Sequence, residues 1–248
     1  MHIEFYGLNY SPWTIQARWA LDHHVIHYHY IEHIPMISTV LLRLKARKLF
    51  DKITVPILIT SRSVVDDSWN IAAWADREGH RSKLIPLDLS DEVKAWHDRA
   101  DAANHSNRII VTEATAQSEE AKRENLPDFF PEFSRNVLTP VTDLGIAYLR
   151  QKYDFRHSII AEEKKKVREA LNALRAALKG KNHIFDVFTY ADIAASGILQ
   201  YVRPVDDRFV RLKPAIRKVF TQNDLLNEFA DLVEWRDRLF QNYRNQPK

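Results

Sequence analysis

The chain of 248 residues contains no cysteine. That excludes disulfides, thiolate metal ligands and any chemistry on a protein-borne thiol. Glycine is scarce, with five residues in all, which points to a mostly helical chain with few strands and few tight turns. Neither sign of charge dominates: 36 Lys and Arg stand against 33 Asp and Glu. The one dense basic run, Lys164-Lys165-Lys166, follows Glu162-Glu163 and reads as a solvated helix face, so no nucleic-acid surface is expected. No stretch is long and apolar enough to span a membrane. The opening MHIEFYGL lacks the basic and then apolar pattern of a secretory signal. The expectation is a cytoplasmic protein without nucleic-acid or membrane partners.

What is present is an ordinary globular mixture, 45% hydrophobic and 28% charged, with enough chain for one large or two modest domains. Residues 2–6 alternate as a strand with Ile3 and Phe5 inward. Pro12 suits the first turn of a helix that Ile15, Trp19 and Leu21 make amphipathic to about residue 23. Residues 25–31 are β-prone, and 36–50 carry an apolar stripe among basic residues. Residues 57–59 and 64–65 read as two short strands on either side of a turn. Asp66-Asp67-Ser68 supplies helix-start chemistry ahead of Ile71, Trp74 and Ala75. The order β-α-β-α-β-β-α is that of a thioredoxin-like domain, placed at 1–79. Residues 80–90 read as a linker, and 91–248 as an all-helical domain. Helices are expected over 91–111, 129–153 with a break at Pro140, 159–179, 190–202 and 223–243, with a polar loop over 112–128. Thr189 and Asp192 fit a capping box, with Phe188 placed to staple onto Ile193.

The stretch 53–78, ITVPILITSRSVVDDSWNIAAWADRE, is where binding chemistry concentrates. A proline opening a strand cannot donate to the ladder, so it sits at an edge, a bulge or a cis bond. A cis Val55-Pro56 bond would turn the Val55 N–H and C=O toward an extended peptide. The start of the Ser68 helix offers unpaired N–H groups and partial positive charge for a carboxylate, and Asp67 suits the matching ammonium. The same residues also make an ordinary turn and a capped helix.

This stretch resembles the glutathione-binding segment of the glutathione S-transferase superfamily, whose pattern is Val-Pro-x-Leu, a hairpin, then an acid-Ser-x-x-Ile-x-x-aromatic run. Val55, Pro56, Leu58, Asp67, Ser68, Ile71 and Trp74 occupy those positions. The capping box at 186–200 resembles the family's core-helix start, so the resemblance spans both halves. It implies a thioredoxin-like domain followed by an all-α domain and a homodimer. It also implies glutathione as co-substrate, with a cis proline, the Val55 main chain on the cysteinyl part and Asp67-Ser68 on the γ-glutamyl end. The opening YSPWTIQAR, residues 10–18, is similar to the serine-type and cysteine-type opening of bacterial members, with Ser11 in place of the cysteine, Trp13 at the aromatic and Arg18 at the arginine.

The implied chemistry is activation of the glutathione thiol. A protein hydroxyl donates a hydrogen bond to the thiolate and lowers the thiol pKa, and the sulfur attacks a small hydrophobic electrophile by conjugation, peroxide reduction or dehalogenation. Ser11 is the first candidate for the hydroxyl; as an alternative it is simply an N-cap. Tyr6, at the end of the first strand, and Tyr10 are rivals, since a phenol is a stronger donor. Thr14 sits at the pattern's second hydroxyl. The glycine end of glutathione lacks the basic residue usual just before the proline. Lys52, Lys48 and Arg43 are the nearest substitutes, with Lys52 the foremost. Asp98 or Asp101 stands where some members reach a neighbouring glutathione. Five histidines cluster at His23, His24, His27, His29 and His33, but they read as polar surface rather than as a metal site, so no metal is expected. The alternative to an enzyme is a protein of the same fold that binds ligands or partners without catalysis.

Overall fold

The computed structural model describes residues 2–35, 38–48, 53–127, 130–135, 137–153 and 159–244. Four strands, β1 (Ile3–Gly7), β2 (His29–Glu32), β3 (Ile57–Thr60) and β4 (Val64–Asp66), form one sheet in the order β2-β1-β3-β4. β1 runs parallel to β2, with Phe5 opposite Tyr30, and antiparallel to β3, with Phe5 opposite Leu58. β3 and β4 close a hairpin that registers Leu58 on Val65. Alternation along β1 sends side chains to both faces. Ile3 and Phe5 join α1 (Pro12–His23) and α3 (Ser68–Glu78) through Ile15, Trp19, Ile71 and Trp74. Tyr6 joins Leu42 and Ala46 of α2 (Thr39–Ala46) on the opposite face, with Ile53 and Ile57.

Two expected elements are shorter. The strand expected over 25–31 begins only at His29, because α1 closes in a left-handed motif. Val25 takes φ 56°, its N–H bonds the Asp22 carbonyl (3.0 Å), and the Ile26 N–H reaches back to Leu21 (3.0 Å). Those bonds satisfy the last carbonyls of the helix and turn the chain before it can extend. α2, expected over 36–50, ends the same way at Arg47, φ 55°; positions 36, 37, 49 and 50 lie outside the described residues.

The second half is helical throughout the described residues. α4 (Ser90–Ala116) runs past its expected end, and α5 (Glu119–Glu124) occupies part of the expected loop, capped by Ser118. Pro140 sits in the first turn of α6 (Thr139–Lys152), so the expected break is a helix start. α7 (Ile160–Ala177) and α8 (Tyr190–Ile198) fall where periodicity places them. α9 (Pro214–Phe220) was not anticipated, and the helix expected over 223–243 is two, α10 (Asn223–Glu228) and α11 (Ala230–Tyr243), broken at Phe229. Every residue of α8 is buried. Its start is held by Asp192, which accepts the Thr189 and Ile184 N–H groups at 2.9 Å each. Phe188 stacks face to face on Tyr243, centroids 4.1 Å apart. No helix among the described residues is long and apolar enough to cross a membrane.

The join between the halves is polar and buried. Asp76 of α3 accepts from Leu84 N–H (3.0 Å) and Ile85 N–H (2.7 Å) and meets His24 Nε2 at 2.6 Å. The Leu84 carbonyl in turn accepts the Tyr190 N–H (2.8 Å) at the start of α8. Gly79 is required here: a Cβ would lie 2.4 Å from the His24 ring.

Candidate active site

α1 starts shortly after β1 ends, and its N-terminus opens into a cleft of about 350 Å³ between the sheet domain and α4, α6 and the segment that follows α5. Ser11 is the N-cap residue, and its side chain makes no bond to the helix it caps. Pro12 follows, and no acidic residue stands in the first turn, so the partial positive charge of the helix start is uncompensated there. Ser11, Tyr10, Trp13 and Val55 all line the cleft. The Val55-Pro56 bond is cis, and the Pro56 carbonyl accepts the Asp67 N–H (3.3 Å).

The hydroxyls divide clearly. Tyr6 lies outside the cleft lining, under α2, and its hydroxyl donates to Glu4 (2.6 Å). Burial and that carboxylate raise its pKa. Tyr10 reaches the cleft, but its ring packs edge-on against Phe220, centroids 5.7 Å apart, and burial beside the Glu32 charge pushes its pKa up to about 12. A phenol so shifted is a weaker donor to an anion. Thr14 is buried and accepts the Leu8 N–H (3.1 Å). Of the hydroxyls weighed from sequence, Ser11 is the one that lines the cleft without a raised pKa or a bond to its own helix.

Asp67 is exposed and Ser68 fully buried, and neither lines the cleft. Asp67 holds a rare backbone conformation, φ 73° and ψ 143°, while its carboxylate caps α3 through the Trp69 N–H (2.7 Å). A non-glycine residue in this region is strained and persists only where its neighbours hold it. The Ser68 hydroxyl points inward, 3.4 Å from Gln16 Oε1. Arg18 bonds the Tyr28 hydroxyl (3.1 Å) behind the sheet. Lys48 pairs with Asp66. Lys52 lies outside the described residues. Among the described residues no group of three or more His, Asp or Glu is arranged to hold a metal.

Two cations that sequence reasoning missed, Arg108 and Lys152, line the cleft, with His33 among the lining and Asp101 bonded to Trp13. Asp101 of α4 accepts from the Trp13 indole (2.5 Å) and lies 3.5 Å from His105 Nε2. Burial opposes its charge, yet those bonds bring its pKa below the usual value. Arg108, two turns beyond Asp101 on α4, lays its guanidinium 3.5 Å from the Tyr153 ring centre and 4.8 Å from that of Trp13. Lys152, at the end of α6, donates to the Ile53 carbonyl (3.1 Å), two residues before Val55. His33 faces the same space with its Nδ1 on the Ser38 hydroxyl (2.8 Å), and burial beside Lys152 lowers its pKa to about 4. Lys152 and Ile53 are 99 positions apart in the chain, and no local pattern connects them. Arg108 carried a faint signal as a lone cation ahead of Ile109-Ile110-Val111.

A four-stranded sheet with helices on both faces, followed by a helical bundle and with a cleft at the N-terminus of α1, defines a two-domain thioredoxin-like plus all-α protein. Sequence-family comparison matches residues 10–78 to the glutathione S-transferase N-terminal domain and residues 158–238 to the glutathione S-transferase C-terminal domain. The chain belongs to the glutathione S-transferase superfamily. Solved structures share the fold at low identity. A glutathione S-transferase from Methylobacterium radiotolerans in complex with glutathione sulfonate aligns at TM-score 0.63 and 16% identity over 98% of this chain and 92% of its own. One from Ceriporiopsis subvermispora, in complex with glutathione, aligns at 0.59 and 18% over 100% of both. The beta-etherase LigF from Sphingobium aligns at 0.62 and 15% over 97% and 95%. No curated protein sequence matches.

Proposed function

We propose that this protein is a glutathione transferase in which the Ser11 hydroxyl donates a hydrogen bond to the glutathione thiolate. The observation that carries the reading is the position of Ser11. It opens α1 with a side chain not bonded to its own helix and faces a cleft it shares with Val55 and Trp13. A thiolate there is favoured by a direct hydrogen bond and by the helix N-terminus, and both lower the thiol pKa. The Val55 main chain pairs with the cysteinyl part. Asp67 and the start of α3 take the γ-glutamyl end, a reading supported by the strained Asp67 backbone. Lys152, brought to within 3.1 Å of the Ile53 carbonyl, supplies from the helical domain the cation that the strand before Pro56 lacks, and it faces the glycine carboxylate. The electrophile occupies the aromatic part of the cleft. Domain limits at 1–79 and 91–248, assembly as a homodimer and residence in the cytoplasm belong to the same proposal.

The test is calorimetric titration with reduced glutathione at neutral pH, followed by turnover of chlorodinitrobenzene. Binding in the micromolar to low-millimolar range is expected. Ser11→Ala is expected to lower kcat by about tenfold or more with glutathione binding retained, the loss of one charge-assisted hydrogen bond, while Tyr6→Phe stays within about twofold of wild type. Unchanged turnover in Ser11→Ala refutes the assignment of the hydroxyl. A second reading, a ligand-binding protein without catalysis, is favoured by the full burial of Ser68, which removes its hydroxyl from the γ-glutamyl end. Absence of heat and of thermal stabilisation by glutathione would select it.

A further inference from the structure

We propose that the cleft selects electrophiles bearing an anionic group on an aromatic ring, a carboxylate or sulfonate, and that Arg108 is the residue that binds the anion. The inference rests on the transferase reading for the chemistry, though not for the binding.

Three observations carry it. First, the described residues lining the cleft include the cations Arg108 and Lys152 and not one Asp or Glu. A half-buried arginine is ordinarily matched by a carboxylate, because desolvating an unpaired charge is costly. Second, Arg108 has no ion pair of its own among the described residues. Its single polar partner is His105 Nδ1, and its Nε is buried without a partner. Asp101 is near enough to favour the charge but bonds Trp13 and His105 instead. Third, the guanidinium carbon lies 4.8 Å from the Trp13 ring centre and 3.5 Å from that of Tyr153. Two rings this close hold the cation in the aromatic wall, and the fork of guanidinium donors matches a planar carboxylate. Tyr148 and Phe220 continue the aromatic wall, against which a ring substrate lies with its reactive carbon toward Ser11. An apolar wall around a cation strengthens its attraction for an anion.

The probes are a chlorodinitrobenzene with a para carboxylate and its neutral methyl ester. In each, the glutathione thiolate forms a carbon–sulfur bond at the chlorinated carbon. The carbon–chlorine bond breaks with its electron pair leaving as chloride, and the thiol proton passes to solvent. Values of kcat/KM are divided by the uncatalysed rates to remove intrinsic reactivity. Wild type is expected to favour the carboxylate by about tenfold or more, as a charge-assisted bond allows. Arg108→Met is expected to bring the ratio close to one, and Arg108→Lys to keep part of it. A wild-type ratio at or below one overturns the proposal, as does a ratio unchanged in Arg108→Met. A rise in the KM for glutathione that is equal with both probes would also overturn it, by assigning Arg108 to glutathione. If Arg108→Met does not fold, Arg108→Gln replaces it, and the wild-type ratio decides by itself against the proposal.

If wild type turns over neither probe, the transferase reading fails and calorimetry decides the anion site. The chlorine-free dinitrobenzoate binding about tenfold more tightly than its methyl ester, with the difference lost in the Arg108 variant, supports the site. Equal binding of acid and ester overturns it.

Discussion

Replacing Asp76 tests the join between the two halves. Its carboxylate sits on α3, largely buried, and accepts from three donors on two other segments: Leu84 N–H, Ile85 N–H and His24 Nε2. Asp76→Ala leaves the Leu84 and Ile85 N–H groups without acceptors. A buried donor stripped of its partner costs about 1–3 kcal/mol, and Leu84 is 1% exposed, so water cannot readily replace the lost bond. Adding the His24 contact, the expected loss is about 3–5 kcal/mol, a large part of the stability of an ordinary domain. Asp76→Asn separates the contributions. Its single oxygen, placed at Oδ1, keeps Leu84 and His24 and turns an NH₂ group toward the Ile85 N–H, for a loss of about 1–2 kcal/mol. The assay is urea denaturation at one fixed protein concentration, comparing midpoints and slopes. The same linker carbonyl, Leu84, holds the Tyr190 N–H, so Asp76→Ala is also expected to expose the α8 amides to hydrogen exchange. A loss below about 1 kcal/mol in Asp76→Ala, or equal losses in Ala and Asn, would refute the argument.

Two further outcomes follow from local geometry. Val25 is half exposed and holds φ 56°, a conformation that costs a side chain about 1–2 kcal/mol. Val25→Gly is therefore expected to stabilise the protein by about 0.5–1 kcal/mol after the entropy of glycine is deducted, and a lowered urea midpoint would refute it. His33 has its pKa lowered to about 4 by burial and by Lys152. Above the ordinary histidine value both states are neutral and His33 contributes no pH dependence. As pH falls below about 6.5 the unfolded chain binds the proton first, so stability drops and reaches a loss of about 3 kcal/mol by pH 4. His33→Asn removes that slope, and parallel stability profiles for the two proteins from pH 7 to 4 would contradict the reading.

Much of the architecture was legible because it is written at short range. The alternation at 2–6, the Pro12 start of α1, the stripe of α7 and the Thr189–Asp192 start of α8 each depend on residues within a few positions of one another. Val55-Pro56 and Asp67-Ser68 were legible for the same reason, as was the placement of Ser11 before a helix. Boundaries were not. Whether Val25 extends or turns left-handed depends on the carbonyls of Leu21 and Asp22 seeking donors, and composition does not record that competition. Pro140 marks a discontinuity in sequence, but only the packed bundle assigns it to a start rather than a kink.

The sequence by itself determined the β-α-β-α-β-β-α order of the first half, a helical pattern after it and a serine at the start of a helix, and it left the cis form of Val55-Pro56 as one of three alternatives. The tertiary structure decided which of the candidate hydroxyl residues line the cleft, Ser11 and Tyr10 but not Tyr6 or Thr14. It turned Tyr6 onto Glu4, buried Ser68 on Gln16, and brought Arg108, Tyr153 and Lys152 from two distant helices against Trp13 and Ile53. Local pattern is carried by backbone hydrogen bonds between near neighbours. A cleft is made where surfaces remote in sequence meet, and its charge depends on which side chains are left facing the gap once the cores have closed.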